Sequence, residues 1–355
     1  MSQLATTPEE QIFDIFYAFY ESRALVVAVE LQLADVLSDG PLHVDDVAKR
    51  TNTHAPSLFR LMRALESVGV FSQVYPRVFA NSPASDRLRK NVPGSLWPIV
   101  RLQSIGEGWY EAWGGLLDTI RTGRSAFDRV NGCDVWEFLQ RNPDKWANFN
   151  DAMRSLSVVM TPAVTASYEW SRFPVIADIG GGIGTQLVDI LDASPSCRGI
   201  LYDQPEVVAS AIPHDRVQRI GGDFFQSVPT GADLYLLRFI IHNWAEQEAV
   251  VILEHIRHAM KPGSRVAIIE QVIPETPEFT SGKWQDLIML IGLQGRERTA
   301  AEYRELLNAA GLELDDIVTT ASPLSVLISS RSEQRPRHTT NKRSAHDASA
   351  SRTLA

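Results

Sequence analysis

Several features that define other classes of protein are scarce or missing in this sequence of 355 residues. It has only two cysteines, Cys133 and Cys197, too few for a disulfide framework or a cysteine-rich zinc site, which fits a reducing cytoplasm. No apolar run approaches the roughly 20 residues that a membrane helix requires. The first residues, MSQLATTPEE, contain neither the basic nor the apolar segment of a signal peptide. We therefore expect a cytoplasmic protein with no membrane partner.

An excess of positive charge is also missing. The net charge is −9, whereas a nucleic-acid-binding protein normally presents a basic face. The content of 44% hydrophobic and 22% charged residues is ordinary for a globular protein, and the length allows about two domains. The composition therefore predicts a globular, multidomain protein without a nucleic-acid partner.

Residues 1–100 have the pattern of a helical, winged-helix-like domain. Leu58, Met62 and Leu65 recur at helical spacing, and the segment QVYPRVFAN that follows is typical of a short hairpin. A winged helix can bind DNA, but this region contains eleven acidic and nine basic residues. We favour a dimerisation or substrate-covering domain, with a DNA-binding regulator as the weaker alternative.

Residues 101–172 are predicted to form a helical linker with many aromatic side chains. From residue 173 to 330, short apolar runs alternate with amphipathic segments, which is typical of an α/β domain with a mostly parallel sheet. We predict strands at about 174–179, 198–202, 217–220, 232–240, 264–273, 313–319 and 324–330. Residues 331–355 are polar and contain no aromatic residue, so a disordered tail is predicted.

A glycine-rich loop follows the first strand of this domain, in the segment VIADIGGGIGTQL. Gly180, Gly182 and Gly184 predict a tight turn before a helix, where backbone N–H groups can hold a ligand. The glycines lie closer together than in the dinucleotide fingerprint G-x-G-x-x-G. Asp178 before the loop would repel a pyrophosphate, so a cofactor with a cationic end is favoured.

Acidic and aromatic residues follow the next two strands. Asp203 ends LYD about twenty residues after the loop, where a carboxylate can bind ribose hydroxyls. Asp223 and Phe224, in GGDFF, are placed to meet an adenine amino group and to stack on its ring. Either aspartate alone could cap a loop, but their order at successive strand ends favours a nucleoside site.

These segments, together with LRFIIHNW and GRERT, resemble the S-adenosylmethionine-dependent O-methyltransferases of the caffeate, hydroxyindole and bacterial polyketide-tailoring type. The resemblance extends over about residues 15–330. It implies a winged-helix-like dimerisation domain, a Rossmann-like methyltransferase domain with an antiparallel final strand, a homodimer and no metal. The cofactor contacts that it implies are Gly180, Gly182, Asp203, Asp223, Phe224 and Arg238, the last at a position where many relatives have lysine.

A lone histidine beside apolar residues, such as His242, usually belongs to a core. His242 and Glu270, however, follow neighbouring predicted strands, and Glu297 is predicted to return to the same edge of the sheet. The resemblance implies His242 as the general base with both glutamates beside it. A phenol and a histidine differ in pKa by about 3.5 units, and adjacent carboxylates reduce that gap.

Three residues match acceptor-pocket positions of the family, namely Phe149, Met153 and Met289, although a place in an ordinary helix core is equally compatible with their sequence context. Asn243, where many relatives have aspartate, is predicted to cap the next helix in a capping box with Glu246. The sequence thus predicts methyl transfer to a phenolic hydroxyl of a small aromatic or polyketide-like metabolite. Methylation of nitrogen, or chemistry without methyl transfer, is the alternative within the same fold.

Overall fold

The computed structural model describes residues 7–333. Its N-terminal part consists of α1 (Pro8–Glu30), α2 (Leu33–Val36), β1 (Leu42–His43), α3 (Val44–Thr51), α4 (Ala55–Ser67), β2 (Phe71–Tyr75) and β3 (Val78–Asn81). The three strands form an antiparallel sheet in the order β1-β3-β2 beside the α3–α4 pair. The predicted hairpin and the winged-helix-like arrangement are therefore confirmed.

A helical segment follows, with α5 (Pro83–Asp86), α6 (Trp97–Arg101), α7 (Trp109–Trp113), α8 (Leu116–Thr122), α9 (Ala126–Asn131), α10 (Val135–Arg141) and α11 (Pro143–Thr165). Several of its aromatic side chains form a core with α15 (Ser281–Gly292) of the C-terminal domain. The long helix α11 packs against α6 and against α12 (Thr185–Ala193). It therefore contacts both the helical segment and the C-terminal domain.

The C-terminal domain contains β4 (Val175–Ile179), α12, β5 (Arg198–Asp203), α13 (Pro205–Val208), β6 (Val217–Gly221), β7 (Leu234–Arg238), α14 (Glu246–Ala259), β8 (Arg265–Glu270), β9 (Val272–Ile273), α15, β10 (Arg298–Thr299), α16 (Ala300–Ala309), β11 (Leu312–Thr319) and β12 (Ser325–Arg331). Seven of these strands form one sheet in the order β11-β12-β8-β7-β4-β5-β6. Only β12 runs antiparallel to its neighbours in that sheet, as predicted for the final strand.

The sheet is doubly wound, and its switch point lies between β4 and β7. From β4 the chain builds outward through β5 and β6, then returns to place β7 on the other side of β4. Residues of β7 and β8 are almost all buried because helices cover both faces of the sheet. Ligands of such sheets bind at the carboxyl ends of the strands beside the switch point, and Gly180, Gly182, Arg238 and His242 of the predicted site lie at the ends of those two strands.

Two predicted strands are shorter than expected. The strand predicted at 232–240 ends at Arg238 because Phe239 has a φ of 55°, which turns the chain out of the sheet. The strand predicted at 264–273 ends at Glu270, and β9 beyond it pairs with β10 in a separate two-stranded sheet. The predicted tail starts at residue 331, but Arg331 is the last residue of β12; residues 334–355 lie outside the described part of the chain.

Candidate active site

His242 lies in a short 3₁₀ turn (Ile241–Asn243) just after β7. The carboxylate of Glu270, at the end of the neighbouring strand β8, accepts hydrogen bonds at Oε1 from the backbone N–H groups of Ile240 and His242, both at 3.1 Å. Its Oε2 accepts a hydrogen bond from the buried hydroxyl of Tyr303 at 2.5 Å. The predicted proximity of Glu270 and His242 is observed, but Glu270 fixes the backbone of the turn rather than the imidazole.

The imidazole itself pairs with Glu297. Nδ1 of His242 lies 2.7 Å from Oε1 of Glu297, and both side chains are almost fully buried. The ring of Phe239 stacks on the imidazole, with 5.4 Å between centroids and 26° between planes. Since Nδ1 is engaged by a carboxylate, Nε2 is the nitrogen available to accept a proton.

Burial and charge act in opposite directions on this pair. Burial lowers the pKa of His242, but the hydrogen bond to Glu297 and the charges of Glu270 and Glu297 outweigh it, so the pKa is raised above the ordinary 6.5. Burial also raises the pKa of Glu297, against the opposing effect of His242. The net result is a histidine that is a stronger base than in water.

The segment that carries Glu297 also hydrogen-bonds to the backbone of His242 and packs against it. The N–H of Arg296 donates to the carbonyl of His242 at 2.9 Å, and Asp286 on α15 accepts the N–H of Glu297 at 2.9 Å. Gly295 lies so close to the turn that a β-carbon there would overlap the His242 carbonyl oxygen. Gly295, Asp286 and Tyr303 were not predicted from the sequence. Only Gly295 had a signal, the glycine of GRERT.

The capping box predicted for Asn243 and Glu246 is wrong. Helix α14 begins at Glu246, its N-cap is Ala245, and no side chain caps it. The 3₁₀ turn ends at Asn243, so the chain needs two more residues before it becomes helical. The amide of Asn243 instead donates to the carbonyl of Phe239 at 2.8 Å, which closes the turn that presents His242.

The glycine loop lies on the other side of the switch point. Gly180, Gly182 and Gly184 all have positive φ, as the predicted tight turn requires. The N–H of Gly182 donates to Oδ2 of Asp203 at 2.8 Å. A β-carbon on Gly180 would lie 3.5 Å from the ring of Phe224, and it would clash with Ile240. The loop, the end of β5 and the turn before His242 therefore meet at one edge.

Asp178 lies directly beneath this loop. Its side chain is buried, and Oδ1 has no hydrogen-bond partner among residues 7–333. Burial raises its pKa to about 7, opposed by the charge of Arg238 and reinforced by that of Asp203. An added positive charge at this edge would therefore favour the ionised carboxylate.

A row of aromatic side chains joins the two halves of the site. The ring of Phe224 meets that of Trp244 edge-on at 6.0 Å, Trp244 is nearly parallel to Trp136 at 6.2 Å, and Trp136 meets Phe149 edge-on at 6.1 Å. This aromatic row of Phe224, Trp244, Trp136 and Phe149 extends from the glycine loop to α11. The order of these rings could not be derived from the sequence.

The other predicted site residues lie as follows. Asp223 accepts the N–H of Phe225 at 2.8 Å and so shapes the turn that presents Phe224. Met153 is half-buried on α11, one turn after Phe149, and Met289 is buried on α15. Within residues 7–333, no group of three or more His, Cys, Asp or Glu side chains could hold a metal ion, and no helix is long and apolar enough to cross a membrane.

A doubly wound sheet with a glycine loop at its switch point and a buried His–Glu pair beside it is the arrangement expected of a small-molecule methyltransferase. Comparison with known proteins identifies the family. Residues 113–313 match the O-methyltransferase domain, and residues 13–91 match the O-methyltransferase dimerisation domain. The chain belongs to this O-methyltransferase family.

Relatives cover nearly the whole chain. It is 36% identical to a phenazine O-methyltransferase of Lysobacter antibioticus, over 89% of this chain and 94% of that protein. It is 35% identical to a mitomycin biosynthesis 6-O-methyltransferase of Streptomyces lavendulae, over 86% and 90%. It is also 35% identical to an 8-amino-8-demethylriboflavin N,N-dimethyltransferase of Streptomyces davaonensis, over 82% and 86%. The family thus includes a nitrogen-methylating member.

Solved structures agree with these matches. The crystal structure of LaPhzM superposes with a TM-score of 0.86 at 34% identity, covering 92% of this chain and all of that one. Human N-acetylserotonin methyltransferase in complex with SAM superposes with a TM-score of 0.85 at 26% identity, covering 94% of this chain and all of that one. The two-domain architecture is therefore that of the family.

Proposed function

We propose that this protein transfers a methyl group from S-adenosylmethionine to a phenolic hydroxyl of a small aromatic metabolite, with His242 as the general base. The observation that carries the proposal is the hydrogen bond between Nδ1 of His242 and Glu297, which directs the basic Nε2 away from the carboxylate. Because the turn of His242 and the glycine loop meet at the switch point, an acceptor beside His242 would also lie beside the cofactor.

The residues at the switch point fit the cofactor. Gly180 and Gly182 would shape the loop that holds its amino-acid end, together with Arg238, since their own N–H groups donate to the carbonyl of Tyr202 and to Asp203. Asp203 retains free acceptor capacity for ribose hydroxyls although it also binds Gly182. Asp223 and Phe224 would meet the adenine, and a positive charge of the cofactor nearby would favour the ionised form of Asp178, whose pKa burial raises to about 7. When bound, S-adenosylmethionine supplies the electrophilic methyl carbon.

The residues of this chain then have three tasks. Nε2 of His242 would accept the proton that the phenolic oxygen loses as that oxygen takes the methyl group, while the methyl–sulfur bond breaks and the neutral thioether of S-adenosylhomocysteine leaves. Glu297 and Glu270 stabilise the imidazolium, since both negative charges raise the pKa of His242. The fixed turn keeps donor and acceptor in line, an effect that contributes more than the base itself in many enzymes. The carboxylates of Glu270 and Glu297 are engaged within the protein, and we propose a reaction that needs no metal.

The aromatic row supports an aromatic acceptor. Binding of a flat aromatic ring is stabilised by offset and edge-on contacts with aromatic side chains. We propose that the acceptor lies against this row, with Phe149, Met153 and Met289 as contacts on the helical side. The relatives, which include a phenazine O-methyltransferase, are consistent with a planar acceptor.

We further propose a homodimer. The dimerisation-domain match covers most of α1, and seven large apolar side chains of α1 are at least half exposed in the single chain: Ile12, Phe13, Ile15, Phe16, Tyr17, Phe19 and Tyr20. A patch of this kind is expected to be covered by a partner. This use of the N-terminal domain is favoured over DNA binding. The cytoplasmic location stays a prediction from the sequence, with which two buried, unpaired cysteines are consistent.

Incubation with labelled S-adenosylmethionine and a panel of phenols, read by mass spectrometry as a gain of one methyl, tests the proposal. We expect turnover of at least one planar phenol by the native protein. His242→Ala should abolish that turnover and keep the affinity for S-adenosylhomocysteine. Unchanged turnover would refute the role of His242 as the general base.

Methylation of nitrogen is the second candidate, favoured by the relative that is an N,N-dimethyltransferase. A matched panel of arylamines separates the two. Methylation of the amines alone would show that the acceptor is a nitrogen and not a phenolic oxygen. A His242→Ala enzyme that still methylates amines would show that methylation of nitrogen needs no general base.

A further inference from the structure

Arg238, the last residue of β7, is attached to the long helix α11. Its Nη1 donates hydrogen bonds to the hydroxyls of Ser157 and Thr161, each at 3.1 Å. Thr161 is buried and Ser157 is half-buried. These two bonds connect the switch-point edge of the sheet to the helix that also carries Phe149 and Met153.

The rest of the guanidinium is not satisfied. Nε and Nη2 of Arg238 are buried and have no hydrogen-bond partner within residues 7–333. Burial lowers the pKa of Arg238 to about 10, while the charges of Asp178 and Asp189 act in the opposite direction without an ion pair to either. A buried cation with two free donors is costly unless an anion meets them.

The location of Arg238 indicates which anion that is. The residue stands at the carboxyl end of β7, next to β4 and its glycine loop, across the switch point. Given the cofactor proposed above, the anionic group expected beside the loop is the carboxylate of its amino-acid end. A guanidinium can bind a carboxylate with one edge while another nitrogen stays bound elsewhere, because its donors form a fixed planar fork.

We propose that Arg238 bridges the cofactor site to the acceptor helix: Nε and Nη2 bind the cofactor carboxylate, and Nη1 holds α11 through Ser157 and Thr161. This inference rests on the proposed function for the identity of the anion. Its new element is the coupling. Binding of the cofactor fixes Arg238, and Arg238 then fixes the helix that presents Phe149 and Met153 to the acceptor.

Helix α11 is suited to such control. Pro162 lies inside it and cannot donate an N–H, so the backbone is weakened next to Thr161. One turn further on, the hydroxyl of Thr165 donates to Asp189 at 3.2 Å and accepts from Gln186 at 3.1 Å, both on α12. The C-terminal end of α11 is thus attached to the helix after the glycine loop, and the Arg238 contacts extend that attachment toward the acceptor end.

Hydrogen exchange along α11, measured with and without S-adenosylhomocysteine, tests the coupling. The variants are Ser157→Ala with Thr161→Val, which removes the two acceptors and nearly conserves shape, and Arg238→Met, which removes the charge and the donors but keeps the unbranched aliphatic stem. Ser155→Ala is the matched control, because its hydroxyl bonds only to the backbone of its own helix at Asp151. Affinity for S-adenosylhomocysteine is measured for each by calorimetry.

In the native protein and in Ser155→Ala, the ligand should slow exchange over residues 145–165. The double variant should keep its affinity within about threefold and lose most of that protection. Arg238→Met should weaken binding about tenfold or more, as expected for the loss of a charge-assisted pair, and should also lose the protection.

Three results would overturn the proposal that Arg238 couples cofactor binding to α11. Equal protection in the double variant would show that the Arg238 contacts do not transmit binding to α11. Unchanged affinity in Arg238→Met would show that the free donors do not meet the carboxylate. Absence of any binding by the native protein would instead refute the proposed cofactor, and with it the anion on which the bridge depends.

Discussion

Gly295 packs against the backbone of the turn that carries His242. A β-carbon at position 295 would overlap the carbonyl oxygen of His242 and would lie 2.6 Å from the carbonyl carbon of Asn243. The next residue, Arg296, donates its N–H to the same carbonyl, and Glu297 then pairs with the imidazole. Three consecutive residues therefore fix both the backbone and the side chain of the proposed base.

Gly295→Ala should lower kcat by about 100-fold or more, because the turn has to move and a displacement of about 1 Å can have that effect. Affinity for S-adenosylhomocysteine should stay nearly unchanged, since Gly295 packs against the backbone of His242 and Asn243 and not against the glycine loop. Gly282→Ala is the control: a β-carbon there makes only ordinary contacts, at 3.5 Å or more. Steady-state kinetics and calorimetry measure the two quantities, and native kcat in Gly295→Ala would contradict the positioning role.

Activity should fall on the acid side of a midpoint above pH 6.5. The pKa of His242 is raised, and the base works only when neutral, so protonation below that pKa removes it. Glu297→Gln removes a charge that raises this pKa and should move the midpoint to lower pH, with a lower plateau of kcat. The exposed Glu305→Gln should leave the profile unchanged. A midpoint that stays in place in Glu297→Gln would argue that another group limits the rate.

Tyr303→Phe should affect stability and catalysis together. It removes the buried donor from Glu270 and should decrease the free energy of unfolding by about 1–3 kcal/mol. Because Glu270 holds the turn, kcat should fall as well. Tyr235→Phe is the matched control, since it removes a buried hydroxyl that donates to Ala259, away from the site. This control should lose a similar free energy of unfolding, as measured by urea denaturation, and should keep its kcat. Equal kcat in both variants would contradict a positioning role for Tyr303.

The affinity for the cofactor should increase with pH across neutrality. Asp178 has a pKa of about 7, mainly because of burial, and only its ionised form attracts a cation. If only that form binds, affinity should rise about tenfold between pH 6 and pH 8. Calorimetry with S-adenosylmethionine at three pH values measures it, and Asp178→Asn should remove the dependence. An affinity that does not change with pH in the native protein would show that the ionisation of Asp178 does not affect cofactor binding.

Charge placed on α1 should prevent association. Phe16→Asp puts a carboxylate into the apolar face that we propose to be covered by a partner subunit, where its desolvation is unfavourable. Light scattering should change from the mass of a dimer to the 39.5 kDa of one chain. Phe279→Asp, at another exposed phenylalanine, should remain dimeric. A dimeric Phe16→Asp would place the interface elsewhere.

Much of this architecture was predictable because its signals are local. Continuous apolar runs predicted the buried parallel strands, and closely spaced glycines predicted a turn with positive φ. The proximity of Asp203 to the loop follows from the rule that parallel strands end at one edge. Strand ends were less accurate where a single residue, such as Phe239, leaves the extended conformation without a sequence pattern that requires it.

The sequence alone therefore determined the fold class, the edge of the sheet at which the proposed site lies and the residue types gathered there, since periodicity and turn chemistry act over a few neighbours. The tertiary structure decided what each residue does. It paired His242 with Glu297, 55 positions away, assigned Glu270 to the backbone of the turn, and gave Asn243 a turn-closing bond instead of a helix cap. These contacts depend on how separate elements pack, and no local pattern along the chain encodes which side chains of different elements come into contact.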